Sequence, residues 1–222
     1  MPNWCSNNIS IQGSTETIKT LWDQANEENS GLLNAMRPMP KELRDTTSPT
    51  PVEGQPGYKG PQPEIDGCTN WYDWAVKHWG TKWDVDPGEG LEFTDNGDGT
   101  AQIAGWFESA WAPPIQAYDS FLDDMDGVSL YATYEEGGMD FAGIYDNGDD
   151  SYMEDLSEWC RAVVKGTTSL EDTPELFQRL DDEFELIENR REYIEEEMAE
   201  EAEKDRVDEK RGLYAEHEDV AN

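Results

Sequence analysis

The densest collection of chemically capable side chains lies between positions 70 and 84. The run Asn70-Trp71-Tyr72-Asp73-Trp74-Ala75-Val76-Lys77-His78-Trp79-Gly80-Thr81-Lys82-Trp83-Asp84 sets the polar groups of Asn70, Asp73, Lys77, His78, Lys82 and Asp84 among five aromatic rings. Helical spacing puts Trp71, Trp74, Ala75, His78 and Trp79 on one face, and Gly80 is placed to end the helix. Two readings follow. The segment forms a small-ligand or peptide pocket from Trp71, Asp73, Trp74, Lys77, His78, Trp79, Lys82 and Trp83, its rings accepting a cation or a peptide chain. Alternatively the indoles form a core layer and donate to loop carbonyls, the commoner fate of tryptophans at this spacing. Acid–base catalysis by His78 would need a carboxylate on the same helical face. Asp73 and Asp84 stand five and six positions away and are not on it.

Other signatures fail on their own spacing. Gly80-Thr81-Lys82 resembles the end of a phosphate loop, but Val76 stands near the place of the required upstream glycine. Asp95-Asn96-Gly97-Asp98-Gly99 has glycines where a calcium loop needs side-chain oxygens, and reads as a hairpin turn. Cys5, Cys68 and Cys160 are odd in number and widely spaced, and the chain has only two histidines. This is neither a disulfide framework nor a zinc site, and the three thiols are expected to be buried small hydrophobes. With no nucleophile, metal set or acid–base pair, the chain is expected to be no enzyme and to need no cofactor or metal.

These residues need elements to hold them. Ile9 and Ile11 alternate with polar neighbours in a first strand over 4–12. Ser14 or Thr15 caps a helix carrying Ile18, Leu21, Trp22 and Ala25. Residues 44–67 are rich in proline and glycine and read as a mobile surface excursion. Strands follow at 91–94 and 101–108, then a helix from Pro113-Pro114, then strands at 128–134 and 139–145. This order predicts an α+β fold, a ferredoxin-like split βαβ sandwich with an antiparallel sheet. The domain covers 1–150, with a Pro/Gly-rich and Trp-rich insertion at about 32–88.

After position 150 the composition changes to an acidic helical extension, 151–222. A short helix carries Leu156, Trp159, Val163 and Val164. A long one runs from a Thr173 cap past position 200, with Phe177, Leu180, Phe184, Ile187, Ile194 and Met198 as a narrow apolar stripe. That stripe either docks on the domain or joins a homodimer through the 177–198 helix.

Sixteen basic against 51 acidic residues leave a formal net charge of -35. A protein that grips nucleic acid shows a basic stripe, so direct binding to DNA or RNA and to anionic membrane is disfavoured. Basic surfaces are the natural partners. The carboxylates expected to face one are Asp123, Asp124, Asp126, Glu135, Glu136, Asp181, Asp182, Glu183, Glu195, Glu196, Glu197, Glu200 and Glu201. Repeated along a rigid helix, they could imitate duplex phosphates. The start, Met1-Pro2-Asn3-Trp4-Cys5-Ser6, lacks a basic and an apolar signal region, and no stretch approaches 18 apolar residues, so the cytoplasm is expected.

Five motifs in order carry a resemblance: Met1-Pro2-Asn3-Trp4-Cys5 with Ile9-x-Ile11-x-Gly13, Pro38-Met39-Pro40-x-Glu42-Leu43, Asn70-Trp71-Tyr72-Asp73-Trp74, Trp79-Gly80-Thr81-Lys82-Trp83-Asp84, and Ala110-Trp111-Ala112-Pro113-Pro114. Together they resemble the YubB-like ferredoxin-like domain family of plasmids, phages and prophages, over residues 1 to about 146. The resemblance implies a ferredoxin-like fold without an iron–sulfur cluster and brings no activity or catalytic residues. The expectation is a phage or plasmid accessory protein, without catalysis, whose acidic surface binds and inhibits a host nucleic-acid-binding or defence protein, with DNA mimicry as one mode. The alternative is a ligand- or peptide-binding module using Trp71–Trp83, with the acidic helix serving assembly.

Overall fold

The structure, a computed structural model, describes residues 3–58 and 60–219. The chain forms two compact units, Met1–Glu154 and Asp155–Asn222. The first is a mixed α+β unit built on one six-stranded antiparallel sheet: β1 (Trp4–Ser14), β2 (Leu91–Asp95), β3 (Thr100–Ala110), β4 (Ser129–Glu136), β5 (Phe141–Asp146) and β6 (Asp149–Met153). Their spatial order is β2-β3-β1-β4-β5-β6. Every paired neighbour is antiparallel. The strand expected at 139–145 becomes β5, and the Asn147-Gly148 turn after it sends the chain back as β6, which carries the sheet past position 150.

Register follows the alternation of apolar residues, because side chains of a strand point to opposite faces in turn. Ile9 and Ile11 on β1 lie opposite Gly105 and Ile103 on β3 and opposite Ala132 and Leu130 on β4. This face is covered by α1 (Thr15–Ala25), α2 (Leu32–Met36), α4 (Trp71–His78) and α5 (Ile115–Asp124), and the short α3 (Lys41–Arg44) packs on α4. Ile18, Leu21, Leu32, Leu33, Trp74, Trp79, Tyr118 and Phe121 meet the sheet residues in one core. Ser14 caps α1 by accepting the Thr17 N–H at 3.1 Å. Among its described residues, segment 44–67 holds no further helix or strand, although Thr50 is tied by hydrogen bonds to Thr69 and Asn70.

The second unit departs from the long helix expected from Thr173. The helix is broken. The chain forms α6 (Leu156–Val164), α7 (Glu175–Phe184) and α8 (Leu186–Asp219), with Glu185 between the last two at φ 51, in the left-handed region. Asp181 makes the break, since its Oδ1 accepts the Ile187 N–H at 2.8 Å and supplies an acceptor that the interrupted helix lacks. Thr173 is no cap; its hydroxyl donates to the Leu170 carbonyl at 2.6 Å. Phe177, Leu180, Ile187 and Ile194 are buried within the single chain. The apolar stripe expected over 177–198 therefore does not run along one continuous helix.

Candidate functional site

The tryptophan segment divides between core and surface. Asn70 caps α4 by accepting the Asp73 N–H at 2.9 Å while its amide donates to Asp73 Oδ2 at 2.7 Å, so Asp73 is engaged in holding the helix start. Trp74 and Trp79 are 2% and 5% exposed. They meet edge to face, and the Trp79 indole donates to the Arg37 carbonyl at 2.9 Å. Trp71 is half-buried at the helix start, beside Tyr72. Gly80, at φ 88, ends the helix, and a Cβ there would collide with the Gln116 side chain. The next side chain, Thr81, is buried and donates to the Ala110 carbonyl at 2.9 Å.

His78 stacks on Trp74 with ring centroids 4.6 Å apart, and its Nε2 lies 3.7 Å from Asp66. Burial, with the Arg37 charge adding to it, lowers its pKa from the ordinary histidine value and outweighs the pull of Asp66. Asp66 escaped sequence reasoning because it lies across the loop, outside the helix. Lys77 also reaches that loop and donates to the Asp66 carbonyl at 2.6 Å. Asp84 is structural as well: Oδ1 accepts the N–H groups of Leu33, Asn34 and Val85 and so caps α2. Its pKa is raised because burial outweighs these hydrogen bonds. The eight residues of the expected pocket thus do not line one cavity.

Lys82 and Trp83 point instead to a different aromatic surface. The Lys82 ammonium lies 4.3 Å from the Trp83 ring centroid, 5.5 Å from Trp111 and 5.8 Å from Tyr72. Trp83 also meets Trp4, with centroids 5.6 Å apart. Trp4, Trp83 and Trp106 are 44%, 38% and 53% exposed, although large apolar rings normally seek the interior. They line one cavity of about 260 Å³ together with Glu108 and Ala110 of β3 and with Asp84, Asp86 and Glu89 from the segment before β2. Trp106 and Glu108 stand two positions apart on β3 and so share a face with Trp4 on β1. Gly90 and Gly105 allow this arrangement, because a Cβ on either would strike the backbone of the neighbouring strand segment. Sequence reasoning missed Trp4 and Trp106 because they lie on strands far apart in the sequence; only the strand register places them on one face.

The carboxylates expected to face a partner are distributed unevenly. Asp123, Asp124 and Asp126 are exposed at and beyond the end of α5, and Asp182, Glu183, Glu195, Glu196 and Glu200 are exposed on α7 and α8. Glu135 is half-buried. Glu136 is a correction: it is 2% exposed, and its carboxylate accepts the Gly138 and Met139 N–H groups at 2.9 and 2.6 Å. It closes the β4–β5 turn and presents no charge to a partner. Asp181 caps the start of α8. Glu197 and Glu201 pair with Arg161 and Lys165 of α6 at 2.6 and 3.3 Å, which leaves them less charge to offer outward.

From Trp83 to Cys160 the sequence contains no lysine, arginine or histidine. This span builds β2 to β6, α5 and the start of α6. Several of its carboxylates find neutral donors: Asp119 accepts from the Tyr145 hydroxyl at 2.7 Å and Asp150 from the Tyr134 hydroxyl at 2.6 Å. Glu89, Glu92, Glu108, Asp123, Asp124 and Asp126 are exposed.

Among the described residues there is no group of three or more histidine, cysteine or acidic side chains arranged to hold a metal ion, and no helix is long and apolar enough to cross a membrane. Comparison with protein-family models, with curated proteins and with solved structures found no match to this chain.

Proposed function

We propose that this is a non-enzymatic binding protein, carried by a phage or plasmid, that engages and blocks a basic surface on a host nucleic-acid-binding or defence protein in the cytoplasm. The observation that carries this reading is the cation-free span from Trp83 to Cys160, which builds most of the rigid sheet and leaves carboxylates exposed on it. A large uncompensated charge of one sign on a folded scaffold costs stability through self-repulsion and, in return, speeds encounter with an oppositely charged surface. Membership of the YubB-like family and a ferredoxin-like fold belong to the same proposal. They are supported by the spatial order β2-β3-β1-β4 with α1 and α5 on one face, the order of a split βαβ pair, to which β5 and β6 add a hairpin.

The line charge of α8 bears on DNA mimicry. From Glu188 to Glu203 the helix holds eight acidic residues and two arginines over about 24 Å. With Glu197 and Glu201 paired to α6, roughly one net charge remains per ~6 Å, against about one per 1.7 Å of duplex. Charge on α8 alone is too sparse to match a duplex, so the favoured mode is charge complementarity reinforced by other contacts.

The test is displacement of a labelled duplex from a panel of purified host DNA-binding proteins, at about 50 and about 200 mM salt, the range over which such contacts weaken steeply. The expected result is displacement at low salt that fades at high salt and is reduced by E195Q/E196Q/E200Q. Failure to displace the duplex from any member of the panel would overturn the reading.

A further inference from the structure

We infer that the cavity between Trp4, Trp83 and Trp106 receives a single arginine side chain from a basic segment of the partner protein. This rests on the charge-complementarity reading and adds to it the point of contact. Three features of the cavity converge on that occupant.

The first is its walls. Indole faces attract cations through their ring quadrupole, and tryptophan does so more strongly than other aromatic residues. Three indoles around one cavity, each more than a third exposed, are costly to leave in water and are suited to a flat, weakly hydrated cation. The Trp83 ring already accepts one cation, the Lys82 ammonium at 4.3 Å, within this chain. The same ring also lines the cavity beside Trp4.

The second is its rim. Glu108, between Trp106 and Ala110 on one face of β3, lines the cavity with Asp86 and Glu89, and all three are exposed. Asp86 spends one oxygen on the Gly88 N–H at 2.8 Å. A guanidinium can stack on an indole while its fork donates to a carboxylate, which an ammonium cannot do with the same geometry.

The third is its size. At about 260 Å³ the cavity is smaller than the usual drug-sized ligand site, yet it has room for one long side chain entering from solvent. Because no lysine, arginine or histidine occurs between positions 83 and 160, Lys82 on the Trp83 ring is the nearest cation that this stretch of chain brings to the cavity, and Asp86, Glu89 and Glu108 outnumber it.

The experiment uses the full chain and a decapeptide of alternating arginine and serine, with tryptophan fluorescence as readout, and free arginine methyl ester as a second probe. Three proteins are compared: wild type, W106A and D123N/D124N/D126N, the last altering exposed carboxylates of the same unit that do not line the cavity. Trp106 is half-exposed, so W106A should keep the fold, which circular dichroism checks; W106F serves as a second variant that retains a weaker ring. The expected result is that W106A weakens both probes about tenfold, that W106F weakens them less, and that D123N/D124N/D126N weakens only the peptide. If W106A binds both probes as wild type does, the cavity is not the arginine site and the inference falls. If wild type ignores the peptide at low salt but binds the ester in a Trp106-dependent way, the cavity stands and the wider reading of the acidic surface falls.

Discussion

Replacing Glu136 with alanine tests whether this carboxylate belongs to the fold or to a binding surface. Glu136 is the last residue of β4, and its two oxygens accept the N–H groups of Gly138 and Met139. Truncation removes both acceptors. A hydrogen bond to a charged group contributes about 1.5–3 kcal/mol, and a donor left unpaired inside the protein costs about 1–3 kcal/mol. Gly138 and Met139 lie at an exposed turn, so water recovers part of each loss, and alanine also removes the cost of burying a charge. The net is a destabilisation of about 2 kcal/mol, and E136Q, which keeps one acceptor oxygen, should lose about half of that. Urea denaturation followed by tryptophan fluorescence is suited to the measurement, since only Trp159 lies outside the first unit. A solvent-facing carboxylate would change stability by no more than ~0.5 kcal/mol. A midpoint for E136A indistinguishable from wild type would falsify the assignment of Glu136 to the turn.

Glu185→Gly should raise the stability of the helical unit by about 1 kcal/mol, because glycine occupies the left-handed conformation without a Cβ penalty; in an unbroken helix the same change would cost about 1 kcal/mol, so the sign of the shift in thermal denaturation decides. His78 has a pKa lowered by burial, so the unfolded chain takes up its proton first. Stability from this group is full above pH 6.5 and declines as pH falls from there through the depressed folded value, and the drop in melting temperature between pH 7.5 and 5 should be smaller in His78→Gln than in wild type. All three cysteines are buried and in no disulfide, and burial pushes the Cys5 thiol up to about 12; a thiol reagent at pH 8 should label none of them in the native protein and all of them in urea, and rapid native labelling of Cys5 would contradict its buried position on β1.

What the sequence revealed and what it hid have physical reasons. Ile9 and Ile11 give a strand its period, and their register partners Ile103, Leu130 and Ala132 lie in segments that show the same alternation. The Trp74–Trp79 layer was legible as core because helical spacing places those rings on one face. The break at Glu185 was not, because nothing in Phe184-Glu185-Leu186 resembles a helix stop; it depends on Asp181 turning its side chain back to the Ile187 N–H. Strand β6 hid behind Asp149-Asp150-Ser151, residues of low strand propensity that pair because the turn at Asn147-Gly148 delivers them to the sheet edge. The Trp4–Trp106 face was invisible for a different reason: strand partners a hundred residues apart have no local signature.

The sheet is open, ending in β2 on one side and β6 on the other. An outermost strand with unpaired backbone groups invites another chain to extend it, and charged residues along the strand are a usual deterrent. β2 carries Glu92 and Asp95, and β6 carries Asp149 and Asp150, so like charges guard both margins. That protection depends on ionisation. As pH falls toward the sequence pI of about 4.1 the net charge of the chain vanishes and its copies no longer repel one another, so association on acidification is expected to begin at the strands that delimit the fold.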